Sequence, residues 1–417
     1  MNAENLSRGQ IPVLGAGASG RAVFDLLKNR GLEPILFDEK RGSGRIDFEP
    51  AQGTYPFGVI SPGFPPDHPW RAAAKQAGMP LLGELEIGLS DFGGRLLCIT
   101  GTNGKSTLTS LLEKALVLSG DTAKAVGNIG LPISAVAGAA GQPDWAVCEV
   151  SSFQLYDWQA PHGEAALWTN FAADHLDWHP TIGDYFKAKW RLVESGMPVF
   201  ADIEVLRTAE AMGLEIPDNL KSVPYEKAGV PAEGLFSREP FAKLYSLARA
   251  WWSDTGRDMD HLERAAVEFE GLPHRMEQVA ILDGREFIND SKATNSHAAL
   301  AACDAVNKPI FWIGGGQSKG EDLANFAKEI AQKIESADLI GGTQEKLGSF
   351  LTENGLPVRC HASMEEAVKS ATERSSEGSV ILLSPGFASF DQFSGYSERG
   401  NVFRESVFAL PNARESV

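Results

Sequence analysis

Three times along this 417-residue chain an apolar strand runs into a glycine-bearing turn and then into helix. Ile11-Pro-Val-Leu14 meets Gly15-Ala-Gly-Ala-Ser-Gly20, Leu96-Leu-Cys-Ile-Thr100 meets Gly101-Thr-Asn-Gly-Lys-Ser-Thr107, and Ile310-Phe-Trp-Ile313 meets Gly314-Gly-Gly316. A strand that passes into a helix over so few residues makes a right-handed βαβ crossover, and repeated crossovers build a parallel sheet covered by helices. The chain therefore reads as α/β in three domains, over residues 1–93, 94–271 and 272–417. The third, with strands at 280–282, 310–313 and 380–384, reads as another parallel sheet. Residues 202–240 are mixed and fit no single element.

The first loop has the G-x-G-x-x-G form that lets backbone approach a diphosphate at a helix N-terminus. A second strand, Pro34-Ile-Leu-Phe37, leads to Asp38, where a ribose-binding acid belongs, and Ser61-Pro-Gly63 suits a tight turn beside a ligand. That pattern asks for a nucleotide and does not specify nicotinamide. The second loop is more specific. Its backbone N–H groups would wrap a triphosphate, Lys105 would reach the terminal phosphates, and a Ser106 or Thr107 hydroxyl would take Mg²⁺. It is a shortened form of G-x-x-x-x-G-K-[ST], because Ile99 stands where the first glycine would be.

Around it lie further candidates. Trp145-Ala-Val-Cys-Glu149 ends a strand in a carboxylate, well placed for a metal. Asp174-His175 offers a metal ligand or phosphate partner, although His175 alone reads as a helix-start or structural histidine. Lys187, Lys189 and Arg191, on one predicted helix, read as a solvated cationic face.

Composition excludes some classes. A formal net charge of −17 disfavours a broad grip on nucleic acid, so an anion must be held by local devices. No apolar run approaches the ~20 residues of a membrane span. The first eight residues lack the charged-then-apolar pattern of a leader. Four widely spaced cysteines with no C-x-x-C pair fit a reducing cytoplasm.

Taken together, Gly101-Thr-Asn-Gly-Lys-Ser-Thr107, Asn128-Ile-Gly-Leu-Pro132, Glu149-Val-Ser-Ser-Phe-Gln154, Asp174-His175 and Leu272-Pro-His-Arg275 resemble the Mur ligase family, the ATP-dependent amide-forming enzymes of peptidoglycan synthesis. Asn289-Asp-Ser-Lys-Ala-Thr-Asn295 and Ser384-Pro-Gly-Phe-Ala-Ser-Phe-Asp-Gln-Phe393 are similar to the branch that adds D-glutamate to UDP-N-acetylmuramoyl-L-alanine. The resemblance runs from Leu14 to about Phe403.

It implies an N-terminal Rossmann-like UDP-binding domain, a central P-loop ATPase-like domain and a C-terminal Rossmann-like domain. Gly15, Gly17, Ala18, Ser19 and Gly20 would then cradle a UDP-sugar diphosphate, with Asp38, Ser61 and Gly63 near the nucleotide. ATP would lie on Gly101, Thr102, Asn103, Gly104, Lys105, Ser106 and Thr107, with Arg275 and Asp290 reaching it. Two Mg²⁺ ions are implied, one near Ser106, Thr107 and Glu149, the other near Glu149, His175 and a carbamylated lysine that falls on Lys189, with Lys187 as competitor. Asn128 and His175 would orient the alanyl end, and Lys319, Ser389, Tyr396 and Thr294 would hold D-glutamate. His274 would lie at a hinge. The family works as cytoplasmic monomers. Two departures stand out: Tyr396 replaces an expected phenylalanine, and Phe241-Ala-Lys-Leu-Tyr-Ser-Leu-Ala248 lacks the asparagines that usually contact adenine. Rival readings are a sister ligase, a folylpolyglutamate-type synthetase, and a non-catalytic nucleotide-sugar or NAD-binding protein.

Overall fold

The computed structural model describes residues 10–40, 42–225 and 229–410, so the leader reading on the first eight residues lies outside the described residues. Three sheets follow in chain order. The first has β1 (Gln10–Leu14), β2 (Glu33–Phe37), β3 (Gly58–Ile60) and β4 (Leu81–Gly83) in the order β2-β1-β3-β4, all parallel. The second has β5 (Arg95–Thr100), β6 (Ala123–Gly127), β7 (Trp145–Glu149), β8 (Ala165–Trp168), β9 (Val199–Asp202) and β10 (Leu220–Val223), ordered β10-β9-β8-β5-β7-β6 and again parallel. The third comprises β11 (Glu277–Leu282), β12 (Arg285–Asn289), β13 (Ile310–Gly314), β14 (Ser336–Leu339), β15 (Val358–Cys360) and β16 (Val380–Leu383), ordered β11-β12-β16-β13-β14-β15.

The third sheet corrects the sequence reading, for it is mixed: β11 pairs antiparallel with β12. Asp283 and Gly284, both at positive φ, close the hairpin, and an Asp-Gly pair between apolar runs is the strongest short signal for such a turn. The unassigned residues 202–240 supply the helix Ile203–Ala211 and β10, and a cis peptide precedes Pro240.

The chain divides into two compact units. The first two sheets share one, running to Phe171 and resuming over Trp178–Phe236 and Ala242–Phe269. The other holds the third sheet, from Glu270 onward, together with Ala172–Asp177 and Ser237–Phe241. Among the described residues no helix is long and apolar enough to cross a membrane.

In the central sheet β5 lies between β7 and β8, where the chain reverses its direction of winding. The crevice outside the strand C-termini at such a point is where α/β sheets bind ligands. The helix Ile182–Glu194 packs on this sheet through Tyr185, Phe186, Lys189, Trp190 and Val193, spaced to share one helical face. Phe186 stacks on Trp190 and meets Trp168 of β8, at 5.6 and 5.1 Å between ring centroids. Lys189 is thus carried into the core, only 1% exposed, whereas Lys187 points to solvent. The solvated cationic face expected from sequence is not formed, because the helix turns its lysine at 189 inward with its aromatic residues.

Two features of the fold give testable stabilities. A Cβ on Gly20 would lie 1.8 Å from the Gly15 carbonyl oxygen, while one on Gly17 would meet nothing within 4 Å. Gly20→Ala is expected to lower the melting temperature by about 5 °C or more and Gly17→Ala to leave it near wild type, read by differential scanning fluorimetry. At the end of β12 the buried Asp290 carboxyl is pushed up to about 7 by burial, against the opposing effects of Ser384, the Met276 N–H, Arg275 and Arg399. The folded chain therefore holds this proton more tightly than an unfolded aspartate at about 3.9, and stability falls as pH rises from about 4 to about 7. Asp290→Asn should remove that loss. In urea unfolding at a series of pH values, the variant should gain on wild type over this window, by up to roughly 4 kcal/mol.

Candidate active site

The phosphate-type loop after β5 is shaped by backbone that only glycine adopts readily. Gly101 has φ +139 and Gly104 φ +82, and a Cβ on Gly101 would lie 1.9 Å from the Thr169 hydroxyl. Residues just past β8 fasten the loop from the side. Asn170 accepts from the Thr102 N–H through its carbonyl (3.1 Å) and from the Asn103 N–H through Oδ1 (2.9 Å). The Thr169 hydroxyl and Asn170 Nδ2 donate to the Asn103 carbonyl at 2.6 and 3.1 Å. Neither residue was singled out from sequence, since nothing in their spacing ties them to a loop some 67 positions away.

Two ammonium groups converge on this loop. Lys105 Nζ donates to the Gly101 and Thr102 carbonyls at 3.0 and 2.9 Å, and Lys189 Nζ donates to the same Gly101 carbonyl at 2.9 Å. Lys189 also lies 4.8 Å over the Tyr185 ring, whose hydroxyl meets Thr102 Oγ1. Nearby, His179 is 2% exposed and bonded to the Ser152 hydroxyl at 2.9 Å. Burial, with help from the Lys189 charge, pushes its pKa down to about 4, so it is neutral at physiological pH.

Glu149, at the end of β7, completes this edge. One carboxylate oxygen accepts from Ser106 Oγ at 2.5 Å and the other from Asn128 Nδ2 at 2.7 Å. Asn128 is held in turn by its N–H on the Glu149 carbonyl. Thr107 is buried one residue further along the Lys105–Leu118 helix. Among the described residues no group of three or more His, Cys, Asp or Glu side chains could hold a metal by itself. One carboxylate beside a hydroxyl at a phosphate loop nonetheless fits Mg²⁺, which takes few protein oxygens when phosphates supply the rest.

At the first sheet, Gly15 (φ +104) and Gly20 bring the loop against itself, and Gly17 stays open at the exposed start of the Ala18–Asn29 helix. Ser19 stands in the first turn of that helix and Gly63 is exposed beyond β3. Ser61 Oγ approaches the Gly15 carbonyl at 3.5 Å. Asp38 accepts the Ala16 N–H at 2.6 Å and the Lys40 N–H at 2.8 Å, so its carboxylate fixes the loop's conformation.

In the third-sheet unit, His175 does not begin a helix. It occupies a left-handed bend, φ +56, where its own N–H donates to Asp174 Oδ1. Asp174 also accepts from Asn295 Nδ2 at 2.8 Å and Lys319 Nζ at 3.2 Å. Burial alone would raise its pKa, but His175, Lys319 and these hydrogen bonds bring it below the usual carboxylate range. Asp174, His175, Asn295 and Lys319 line one cavity of about 280 Å³.

Across the same unit, Ser389 is buried, Thr294 is half-buried after β12, and Tyr396 opens the helix Tyr396–Phe408 with Lys292 Nζ 3.9 Å above its ring. Arg275 is half-buried beside His274, whose ring accepts from Asn289 Nδ2 in the interior. Arg399, 1% exposed, donates to Ser291 Oγ and O and to the Phe387 carbonyl, tying the turn after β12 to the loop carrying Ser389. Its partners lie 12 and 108 positions away, and an arginine in the first turn of a helix gives no local sign of such a role.

Two family models match: the Mur ligase middle domain over residues 99–214, and the Mur ligase, glutamate ligase domain over 274–387. The UDP-N-acetylmuramoylalanine--D-glutamate ligase of Aquifex aeolicus is 34% identical, covering 95% of this chain and 97% of the relative. That of Leuconostoc mesenteroides is 30% identical, covering 98% and 99%. Among solved structures, MurF ligase from Thermotoga maritima in complex with ADP aligns with TM-score 0.62 at 14% identity, covering 97% of this chain and 96% of that one. A pseudomurein peptide ligase type C from Methanothermus fervidus gives 0.61 at 16% identity, covering 95% and 99%. These two share the fold. The relatives matched along nearly their whole length, with both domain models in order, establish that the chain belongs to the Mur ligase family.

Proposed function

We propose that this chain uses ATP to join D-glutamate to the L-alanyl carboxylate of UDP-N-acetylmuramoyl-L-alanine, in the cytoplasm and as a monomer. The observation that carries the reading is the phosphate loop itself, with Lys105 on the Gly101 carbonyl, the buried Lys189 nitrogen beside it and Glu149 bonded to Ser106 at its edge. That arrangement suits phosphoryl transfer, and the likeness to D-glutamate ligases names the substrates.

A carboxylate is a poor electrophile with a poor leaving group. Transfer of the ATP γ-phosphoryl group to it makes an acyl phosphate; the D-glutamate amine then attacks the carbonyl carbon, and phosphate departs from the tetrahedral intermediate. Lys105 takes up charge on the transferring group and the loop N–H groups hold the polyphosphate in line. Mg²⁺ would be held by Glu149 with a Ser106 or Thr107 hydroxyl and by carbamylated Lys189, and it supplies charge neutralisation between the two anionic reactants. Asn128 orients Glu149 and the alanyl end. The 1–93, 94–271 and 272–417 divisions correspond to UDP-sugar, ATP and amino-acid binding. The glycine loop at Gly15 and Gly20 takes the diphosphate on the open side at Gly17, Ala18 and Ser19. In the third domain Lys319 exchanges its Asp174 partner for a D-glutamate carboxylate, with Ser389, Thr294 and Tyr396 on the remaining groups and His175 alongside. Arg275 and Asp290 contribute to ATP binding.

Burial favours Lys189 over Lys187 as the modified lysine: carbamylation replaces an ammonium, which repels Mg²⁺, with an anionic oxygen ligand. Lys189→Ala should lower turnover by about 100-fold or more and recover partly with added formate or acetate, while Lys187→Ala stays near wild type. Full activity in Lys189→Ala would remove the assignment. Phosphate release is to be measured with ATP, Mg²⁺ and UDP-N-acetylmuramoyl-L-alanine, adding D-glutamate, L-glutamate, L-alanine, L-lysine or meso-diaminopimelate separately. Release with D-glutamate alone is expected; release with another amino acid moves the enzyme to a sister step, and silence throughout overturns the reading.

A further inference from the structure

Within the first unit one arginine links the turn packed on the first sheet's glycine loop to the helix that follows Glu149. Arg71, on the helix Pro69–Gln76, makes a two-pronged ion pair with Asp157, Nη1 to Oδ1 at 2.6 Å and Nη2 to Oδ2 at 2.8 Å. Its Nε and Nη2 also donate to the Phe64 carbonyl at 3.2 and 2.9 Å. The two side chains are 10% and 6% exposed, and the Tyr156 ring lies 5.4 Å from the guanidinium.

Each end of this bridge is packed against its surroundings. Phe64 closes the turn that begins at Ser61, and its ring edge lies 3.0 Å from where a Cβ on Gly15 would be, so it packs on the glycine loop. It is further held by His68 and Trp70, at 4.6 and 5.3 Å between ring centroids. Asp157 is the last residue of the helix Ser152–Asp157, which starts three residues after Glu149 and is fixed at its N-terminus by a reciprocal Ser151–Gln154 capping box. Asp157 Cβ also lies 3.3 Å from where a Cβ on Gly83 of β4 would be. A planar fork satisfied on both sides holds distance and angle together, which a lysine at the same place could not.

We propose that Arg71 is a positioning residue: through Asp157 it sets the register between the loop that grips the nucleotide end of the acceptor and the Glu149 edge where its far carboxylate reacts. This rests on the proposed UDP-linked acceptor. A long substrate anchored at one end and reacting at the other is sensitive to that register, since a shift of about 1 Å can cost on the order of 100-fold in rate.

The experiment compares wild type, Asp157→Asn and Arg71→Lys, all first checked for melting temperature. UDP affinity and the KM for ATP should stay within about twofold of wild type, while kcat with UDP-N-acetylmuramoyl-L-alanine falls about 10-fold or more, Arg71→Lys lying between. With the truncated acceptor N-acetylmuramoyl-L-alanine, which has no nucleotide end to register, the variants should match wild type. An equal loss on both acceptors, or none on either, overturns the proposal. Hydrogen exchange of the Ser152–Asp157 helix gives a readout independent of turnover: UDP should slow exchange there in wild type and not in Asp157→Asn. Wild-type enzyme that binds UDP without this effect refutes the coupling, whereas failure to bind UDP refutes the acceptor reading and the coupling with it.

Discussion

Two lysine side-chain nitrogens share one backbone oxygen, that of Gly101, and much of the central sheet is arranged so that they can. Gly101 presents that carbonyl only because its φ of +139 is open to glycine and because Thr169 leaves no room for a side chain. Lys105 comes from the first turn of the helix that follows. Lys189 comes from a helix separated by more than 80 residues, and its amine reaches the loop because Phe186, Trp190 and Trp168 hold that helix flat on the sheet. An amine in such surroundings stays where its partners are. Its donors here are directed at Gly101 and Thr100, beside the Tyr185 ring.

Local pattern was enough for the elements that carry local chemistry. Strand, glycine turn and helix are contiguous, so both nucleotide-type loops and the carboxylate at the end of β7 could be read from residue order alone. The hairpin between β11 and β12 was equally legible in Asp283-Gly284, and was missed because strand–glycine–helix repetition favoured a wholly parallel sheet. Lys189 illustrates a different limit. A helix with lysines at 187 and 189 has an exposed and a buried member, and the aromatic residues at 185, 186 and 190 show which face is buried; charge drew the eye to the solvent side.

What could not be read is the set of polar ties between loops remote in sequence. Asn170 on the loop at Thr102 and Asn103, Asn295 and Lys319 on Asp174, and Arg399 on Ser291 and Phe387 span 67 to 145 positions or join two turns through a third element. Their residue types are common in loops and helices, and only tertiary placement separates them from ordinary surface side chains. His175 belongs here too. Its left-handed φ accompanies an N–H bond to Asp174, and a histidine after an aspartate has no sequence pattern that announces such a bend.

These ties have a common logic. A glycine-rich loop is the cheapest way to aim several N–H groups at a phosphate, yet glycine also carries the greatest conformational freedom to be lost on folding. Each such loop here is restrained by a side chain from elsewhere: Asp38 on the Ala16 N–H, Asn170 on Asn103, Arg399 on the carbonyls before Ser389. The restraining groups are charged or amide side chains because they must satisfy backbone donors and acceptors that a strained turn leaves unpaired. Where the restraining group is a buried charge, as at Arg399, its donors are spent on neutral carbonyl and hydroxyl oxygens, and burial lowers its pKa to about 10. In loops fixed in this way the conformational cost of the glycines is met in folding, and the turn holds one shape through side chains that reach it from elsewhere in the chain.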